Sequence, residues 1–199
     1  MTNNHVVIVI PGLGDAVQRL SLLTHHWTSY GLTPIVYPLW WYDKKDFNPK
    51  LNALITLIDQ YIKNGDKISL VGASAGASAV LNAFIERKDN IHKIIAVCGR
   101  LRMGDQRGFR SFLSRTKESQ SFAQSVQLFE GREHELTNND KEKIMTVHAL
   151  FGDELVPADT ATLAGAHNIV VPMFEHVLSI ALSLTLFSKP LIEFLTTEK

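Results

Sequence analysis

The chain has 199 residues, of which 45% are hydrophobic and 20% charged, and these values exclude a disordered, collagen-like or coiled-coil protein. The length predicts one folded domain. Twenty basic residues balance twenty acidic ones, and a net charge of zero argues against a dedicated nucleic-acid-binding protein. The single cysteine, Cys98, excludes an internal disulfide and a cysteine-rich metal cluster, as is typical of a reducing compartment.

The N-terminal residues do not have the pattern of a secretory signal, because no cationic segment precedes the short apolar run at residues 6–10. The longest apolar-rich stretch, residues 177–187, is interrupted by hydroxyl side chains and is much shorter than the ~20 residues that span a bilayer. We therefore expect a cytoplasmic protein without a membrane span.

Six short runs rich in β-branched residues alternate with longer helical patterns along the chain. Each run is almost continuously apolar, which is typical of strands covered on both faces. The runs are residues 6–10, 34–37, 67–71, 93–97, 145–151 and 169–171. They predict an α/β fold with three layers, in which a doubly wound, mainly parallel sheet of about six strands carries helices on both faces.

Helix signals lie between the predicted strands. The clearest helix is predicted to have Asn48 as its N-cap and Pro49 at its first position, and to end at Asn64 and Gly65. Other helices are predicted at residues 16–30, 75–87, 158–164 and 176–195. Pro190 should bend or break the last of them, because a proline cannot continue a helix regularly.

About 45 residues of mixed polar character separate the fourth and fifth predicted strands. Spaced aromatic residues indicate one or two amphipathic helices there, and Thr137 or Asn138 is suited to cap a further short helix. We interpret residues 1–199 as a single domain with a small cap-like excursion at about residues 100–144. An insertion at this point of an α/β fold should lie over the ligand crevice.

The strongest local motif is Gly-Ala-Ser-Ala-Gly at residues 72–76, which follows the third predicted strand and precedes a helix rich in small residues. In this G-x-S-x-G context a sharp turn holds Ser74 exposed at a helix N-terminus, and the flanking glycines allow strand and helix to approach closely. Composition alone produces the motif in roughly one chain in twenty, so its meaning depends on an acid and a histidine further along.

An acid and a histidine follow in a suitable order. Asp153 comes directly after the fifth predicted strand, and His176 comes shortly after the last one. Because parallel strands end at one edge of the sheet, we expect Ser74, Asp153 and His176 to converge there.

Neighbouring residues leave alternatives for both positions. Glu154 adjoins the favoured acid, and Asp159 is more remote. His167 precedes the last strand and therefore belongs to the opposite edge of the sheet. His148 lies inside a predicted strand, where we expect a core histidine with satisfied hydrogen bonds.

These pieces together resemble the α/β-hydrolase family over nearly the whole chain. The matching segments are Pro-Gly-Leu-Gly-Asp at 11–15, the motif at 72–76, Gly-Asp-Glu-Leu-Val-Pro at 152–157 and Glu-His-Val at 175–177. The resemblance implies that Ser74 is the nucleophile, that His176 acts as general base and then acid, and that Asp153 orients the imidazole. It also implies an oxyanion hole formed by the backbone N–H groups of Leu13 and Ala75.

The chain departs from the family pattern in two places. Pro11 and Gly12 stand where the family often has His-Gly, which leaves the backbone donor of Leu13 in place. The usual antiparallel strand pair ahead of the first conserved strand has no counterpart, which fits a compact version of the fold.

Gly12-Leu13-Gly14 also resembles the start of a dinucleotide-binding fingerprint. Val17 occupies the position of the third glycine, and Tyr37-Pro38 stands where a ribose-binding acid would end the second strand. A nucleotide-binding site is therefore disfavoured.

Two further clusters are candidates for substrate binding. Trp40, Trp41 and Tyr42 follow the second predicted strand and either line an apolar pocket or pack beneath the excursion. Residues 100–117 contain six basic side chains but only Asp105 as an acid, so this segment is either an anion-binding surface or a solvated helix face.

The leading hypothesis is a serine hydrolase that cleaves a small-molecule carboxylic ester or thioester through an acyl-enzyme on Ser74, without a metal or organic cofactor. One alternative is a non-catalytic ligand-binding protein or receptor on the same scaffold. Another is an acyltransferase that uses the same triad. Because the motif already carries a serine, Cys98 is expected to be a small buried residue.

Overall fold

The computed structural model describes residues 4–198, in which strands and helices alternate along the chain. In order, the elements are β1 (His5–Ile10), α1 (Val17–Thr24), β2 (Leu32–Val36), α2 (Phe47–Lys63), β3 (Lys67–Ala73), α3 (Gly76–Glu86), β4 (Ile91–Val97), α4 (Phe112–Thr116), α5 (Gln120–Arg132), α6 (Asn138–Lys141), β5 (Ile144–Ala149), α7 (Ala158–Ala161), β6 (His167–Val171), α8 (His176–Leu184) and α9 (Lys189–Thr196). Short 3₁₀ helices lie at His25–Tyr30, Gly108–Arg110 and Glu133–Glu135.

The strands form one six-stranded sheet in the order β2-β1-β3-β4-β5-β6, and every neighbouring pair is parallel. The predicted sheet is therefore confirmed. The chain moves from β1 outward to β2 and then returns to β3 on the other side of β1. Ile10 pairs with Gly72 at the carboxyl ends of β1 and β3, so a crevice opens at this switch point between the loops that follow.

The apolar strands are explained by a core on each face of the sheet. In β1, Ile8 belongs to the cluster beneath α2, α3 and α5, whereas Val9 belongs to the cluster beneath α1, α8 and α9. Successive strand residues point to opposite faces, so a strand covered on both sides must be apolar throughout. The three-layer arrangement follows directly from this burial.

Strand β2 begins at Leu32, two residues earlier than predicted, and Pro34 lies in its interior, in register with Val7. Proline has no N–H to donate, but β2 is an edge strand, so its outer side needs no partner. Gly31, with φ of 77°, turns the chain directly into the buried Leu32.

Helix α2 begins at Phe47, with Asp46 as its N-cap, so the predicted start at Asn48 and Pro49 is wrong by two residues. The earlier start is supported by a distant contact, because the Phe47 N–H donates to Gln124 Oε1 at 2.7 Å. Pro49 remains within the first turn, where the N–H groups have no partner inside the helix.

The predicted helix at residues 16–30 is correct in position but changes to 3₁₀ geometry after Thr24. The predicted helix at 176–195 is broken into α8 and α9, which meet at 54°. The break lies just ahead of Pro190, the second residue of α9. A proline fits in the first turn of a helix, where its missing N–H has no partner to lose, but not in the interior.

In the excursion, Thr137 caps α6 in a capping box with Asp140.

Across residues 4–198, no single helix is long and apolar enough to cross a membrane. Helices α8 and α9 meet the length and composition criteria only when they are taken together as a bent pair.

Close packing around Gly76 leaves no room for a larger residue at this position. A Cβ added there would lie 2.3 Å from the carbonyl oxygen of Ile10, a backbone atom that cannot move freely. We expect Gly76→Ala to lower the free energy of unfolding by about 2 kcal/mol or more, measured by urea denaturation. Gly131→Ala is the control, because its Cβ meets nothing within 4 Å and should stabilise α5 by up to about 1 kcal/mol. Equal effects of the two substitutions would contradict this account.

A pH dependence of stability follows from His5 in β1, whose Nε2 lies 2.8 Å from Ser69 Oγ. Burial, with Lys67 and His92 nearby, lowers the pKa of His5 to about 4. In the unfolded chain the His5 imidazole takes up a proton below about pH 6.5, whereas in the folded protein it does so only below about pH 4. Protonation therefore favours the unfolded chain between these two values, and the free energy of unfolding falls as the pH is lowered through this interval.

After allowance for the half-exposed position, the contribution of His5 is about 1–2 kcal/mol. Unfolding by urea at pH 7 and pH 5 measures it. We expect His5→Gln to reduce the loss of stability between these two pH values, while His25→Gln, which replaces an exposed histidine, should leave the loss as it is. Equal losses in the two variants would show that His5 is not the group responsible.

Candidate active site

The turn between β3 and α3 holds Ser74 in a left-handed backbone conformation with φ of 52°. A non-glycine residue adopts this conformation only when its surroundings impose it. Here the approach of strand and helix does so, because a Cβ on Gly72 would lie 2.3 Å from the carbonyl oxygen of Gly76. The Ser74 N–H also donates to the carbonyl oxygen of Val97 on β4, at 2.9 Å.

A further glycine supports this turn and was not singled out by the sequence analysis. Gly99 follows β4, and a Cβ there would lie 2.0 Å from Ala77 Cβ and 2.9 Å from the carbonyl oxygen of Ser74. The only signal in the sequence was a small residue just beyond a predicted strand. Its importance arises from β3 and β4 being neighbours.

The structure brings Ser74, His176 and Asp153 together at the carboxyl edge of the sheet. Ser74 Oγ lies 2.8 Å from His176 Nε2, and His176 Nδ1 lies 2.6 Å from Asp153 Oδ2. Ser74 is partly exposed, whereas His176 and Asp153 are buried. A hydroxyl, an imidazole and a carboxylate are thus joined in one hydrogen-bonded chain with only the hydroxyl end open to the solvent.

Asp153 is held by its own loop. Its Oδ1 accepts the backbone N–H groups of Leu155 at 2.7 Å and Val156 at 2.9 Å, which leaves Oδ2 for the imidazole. Burial raises the pKa of the Asp153 carboxyl, but the hydrogen bond and charge of His176, together with these N–H groups, lower it more. The net pKa lies below the usual range, so Asp153 is a carboxylate at neutral pH.

The other candidate acids have different partners. The Glu154 carboxylate accepts the backbone N–H of His176 at 3.0 Å, so it holds the histidine main chain rather than the ring. Asp159 accepts from Gln106 Nε2 at 2.9 Å.

Glu175, next to His176 in sequence, caps α8 by accepting the N–H of Val177 at 3.1 Å. The positioning contacts of Glu154 and Glu175 were not anticipated from sequence.

The other candidate histidines lie away from this hydroxyl. His167 is exposed at the start of β6, at the opposite end of the strand from the site, with its ring 5.1 Å from that of Phe194. His148 lies on β5 and is only half-buried. The expectation of a satisfied core histidine is wrong, because its buried Nδ1 has no hydrogen-bond partner among residues 4–198.

The loop after β1 passes directly over Ser74. A Cβ on Gly12 would lie 2.9 Å from Ser74 Cβ and 3.4 Å from its Oγ, so only glycine allows this approach. Within the described residues, the N–H groups of Leu13 and Ala75 have no backbone acceptor. Two backbone donors are therefore left unused on segments next to the serine oxygen.

A cavity of about 380 Å³ opens onto Ser74 and His176. Most of its wall is apolar and comes from the loop after β1, from α1, from α8 and from the turn after Asp153. The apolar side chains are Pro11, Leu13, Ala16, Leu20, Leu23, Ala73, Phe122, Leu155, Val156, Val177, Ile180 and Ala181.

The three neighbouring aromatic residues have different positions. Tyr42 lines the cavity. Trp41 is buried, stacks on Phe47 and donates from Nε1 to the carbonyl oxygen of Pro11 at 3.1 Å. Of its two expected positions it takes the one beneath the excursion, where its ring meets that of Phe122 edge to face, and not the one in the pocket wall. Trp40 is 63% exposed and is not part of the described cavity wall.

A partly exposed acid and a buried lysine hold this aromatic loop. The Asp15 carboxylate accepts the N–H groups of Trp40 at 3.2 Å and Trp41 at 3.0 Å. Lys50 Nζ donates to the carbonyl oxygens of Leu39 and Trp40, at 2.8 and 2.9 Å, and to Asp43 Oδ1 at 2.6 Å. The position of Tyr42 is therefore set by charged groups outside the cavity.

The basic segment at residues 100–117 divides between the cavity and the solvent. Arg100 and Arg115 line the cavity, as does Arg19 of α1. Arg102 instead pairs with Glu133, at 2.6 Å between Nη2 and Oε1. Arg107 is exposed to solvent.

Cys98, at the end of β4, is buried and has φ of 48°. Burial and the negative charges of Asp153 and Glu154 raise the pKa of its thiol well above its usual range. A protonated, buried thiol is a poor nucleophile.

The chain matches no family model. It also matches no curated protein sequence. Solved structures of low sequence identity are nevertheless similar over almost the full chain. The monoacylglycerol lipase of Paleococcus ferrophilus is 14% identical with a TM-score of 0.66, over 96% of this chain and 93% of that one. Est1E from Butyrivibrio proteoclasticus is 16% identical with a TM-score of 0.65, over 98% and 88%.

A third similar structure is MGS-MChE2, an α/β hydrolase enzyme from the metagenome of sediments of the Mar Chica lagoon in Morocco. It is 13% identical with a TM-score of 0.65, over 96% of this chain and 90% of that one. The agreement extends over the six parallel strands and the helices on both faces of the sheet. The chain therefore has the α/β-hydrolase fold.

Proposed function

We propose that this protein is a serine hydrolase that cleaves a small carboxylic ester or thioester through an acyl-enzyme on Ser74. The observation that carries the proposal is the continuous hydrogen-bonded chain from Asp153 through His176 to Ser74, with its hydroxyl end in a mostly apolar cavity. This arrangement supplies a nucleophile, a base and an orienting carboxylate at one place.

In the first half of the reaction, Ser74 Oγ attacks the carbonyl carbon while its proton moves to His176 Nε2. The carbonyl π electrons become an oxyanion, and the unused N–H groups of Leu13 and Ala75 are the proposed donors to it. When the intermediate collapses, the bond to the leaving oxygen or sulfur breaks and that atom takes the proton from His176.

In the second half, water attacks the acyl carbon and gives a proton to His176; the bond between the acyl carbon and Ser74 Oγ then breaks, and Oγ takes that proton from His176 as the acid leaves. Asp153 remains a carboxylate throughout, because its lowered pKa keeps it charged. It accepts from Nδ1, which leaves the unprotonated Nε2 facing Ser74 and stabilises the imidazolium when it forms.

We also propose that the excursion at residues 100–144 is a small cap that shapes specificity. Arg100, Arg115 and Phe122 support this role, because all three line the cavity. In the same way, Tyr42 is the member of the aromatic cluster proposed to contact substrate.

The nucleophile is tested by covalent labelling. A fluorophosphonate probe should add one adduct to the wild-type protein and none to Ser74→Ala, as measured by intact mass, because only an activated serine reacts rapidly with it. Ser29→Ala is the matched control, since this exposed serine donates only to the carbonyl oxygen of His26 and should be labelled like the wild type.

An adduct on Ser74→Ala would contradict the assignment. Folded wild-type protein that takes no label would favour the ligand-binding alternative. A labelled protein that transfers its acyl group to an added alcohol or amine faster than to water would be an acyltransferase.

The acid is tested by Asp153→Asn, which keeps the shape of the side chain but donates to the imidazole instead of accepting from it. We expect kcat for 4-nitrophenyl acetate to fall by roughly 10³–10⁴-fold, because the imidazole is then held in the wrong tautomer. Glu154→Gln can still accept the His176 N–H and should lose less than about tenfold. If Glu154→Gln lowered kcat more than Asp153→Asn, Glu154 rather than Asp153 would be the acid on which the imidazole depends.

A further inference from the structure

Arg100 is the most unusual side chain in the cavity wall. It is only 1% exposed, yet it is one of the residues that line the cavity beside Ser74. Its Nη2 donates to the carbonyl oxygen of Arg110 at 2.9 Å and lies 3.4 Å from Gln106 Oε1. Its Nε and Nη1 are buried and have no hydrogen-bond partner among residues 4–198.

The charge of Arg100 also has no direct counter-charge. In the described part of the chain it forms no ion pair, and Asp159, the acid that acts on it electrostatically, is hydrogen-bonded to Gln106 instead. Burial consequently lowers the pKa of the Arg100 guanidinium. A buried cation without a partner is costly, so a purely structural arginine would normally be paired.

The cavity around this cation favours an anion. Arg115 is near enough to act electrostatically on Arg100, Arg19 also lines the cavity, and no side chain of the described lining is a carboxylate. Arg115 is held with its guanidinium 4.7 Å from the ring centroid of Phe109. Most of the other lining side chains, including those from α8, are apolar, so the cavity suits a molecule that carries a charged group and is apolar elsewhere.

The main chain next to Arg100 packs against the backbone of the residue proposed as nucleophile. The site of a Cβ on Gly99 lies 2.9 Å from the carbonyl oxygen of Ser74, and the following residue is Arg100. Nε and Nη1 of Arg100 have almost no accessible surface, so an acceptor reaches them only when the guanidinium turns toward the cavity that Arg100 lines. Because Ser74 lines the same cavity, a group bound there can belong to the molecule whose carbonyl carbon meets Ser74.

We propose that the substrate of this hydrolase carries a carboxylate and that Arg100 binds it, with Arg115 as a second cation at the same wall. This inference rests on the proposed function and adds the substrate class. One buried guanidinium balances one negative charge, and the carboxylate oxygens supply the acceptors that Nε and Nη1 lack. The substrate class is a hemiester or thioester of a short dicarboxylic acid, or an ester whose alcohol part bears the carboxylate.

The experiment compares matched ester pairs. One pair, 4-nitrophenyl pentanoate and mono-4-nitrophenyl glutarate, places the carboxylate on the acyl side, and the other, phenyl acetate and 4-acetoxybenzoate, places it on the alcohol side. We expect the wild type to prefer the charged member of one pair by at least tenfold in kcat/KM. That pair identifies the side of the substrate that carries the charge.

Arg100→Met should reduce this ratio at least tenfold, and Arg115→Met should reduce it less. Arg107→Met is the control, because this exposed arginine of the same segment should leave the ratio unchanged. Ratios near one in both pairs, or a ratio that Arg100→Met does not alter, would overturn the proposal.

A binding measurement separates this inference from the proposed function, and its first step needs no Arg100 variant. In Ser74→Ala, 10 mM glutarate at constant ionic strength should raise the melting temperature by a few degrees, because a ligand that binds only the folded state stabilises it. The double variant with Arg100→Met should show no such rise.

The outcomes remain distinguishable. Stabilisation by glutarate in a protein that takes no fluorophosphonate label would support the carboxylate site and overturn the hydrolase. Ester hydrolysis without charge preference and without stabilisation would leave the hydrolase in place and overturn the carboxylate site at Arg100. Equal stabilisation by inorganic phosphate would overturn the assignment of a carboxylate.

Discussion

The site depends on one steric constraint, which is that backbone segments at the β3–α3 turn approach more closely than a Cβ would allow. Gly72 and Gly76 let strand and helix meet, Gly12 lets the loop after β1 pass over Ser74, and Gly99 brings the end of β4 against the same turn. The packing forces Ser74 into a left-handed conformation and holds its hydroxyl at the open end of the site. The proposed chemistry requires a hydroxyl fixed in this way.

Asp153 and His176 beside this turn are both buried, whereas Ser74 is partly exposed. Asp153 accepts hydrogen bonds from its own loop, His176 is hydrogen-bonded to Ser74, and the cavity beyond is mostly apolar. Hydrogen bonds in such an environment are stronger than in water, and an unpaired polar group is correspondingly costly. Among the side chains that line the cavity within residues 4–198, Arg100 has buried nitrogens without a hydrogen-bond partner, which is why we propose a ligand for it.

A net charge of zero describes the whole chain and hides this local imbalance. The acids near the basic segment pair with some of its members, as Glu133 does with Arg102, and leave the cavity wall with cations alone. Composition argued against a dedicated nucleic-acid-binding protein but carried no information about a single buried cation. That Arg100 lines the same cavity as Ser74 follows only from the tertiary structure.

The amino-acid sequence by itself determined the six strands, their burial on both faces, and the chain order of Ser74, Asp153 and His176, because strand periodicity and turn motifs are local properties. Only the tertiary structure decided the contacts between distant segments. Helix α2 starts two residues early because Gln124 reaches Phe47, Trp41 packs inward instead of lining the pocket, and the arginines of one segment separate between cavity and solvent. Each of these outcomes depends on a partner remote in sequence, which no local pattern records.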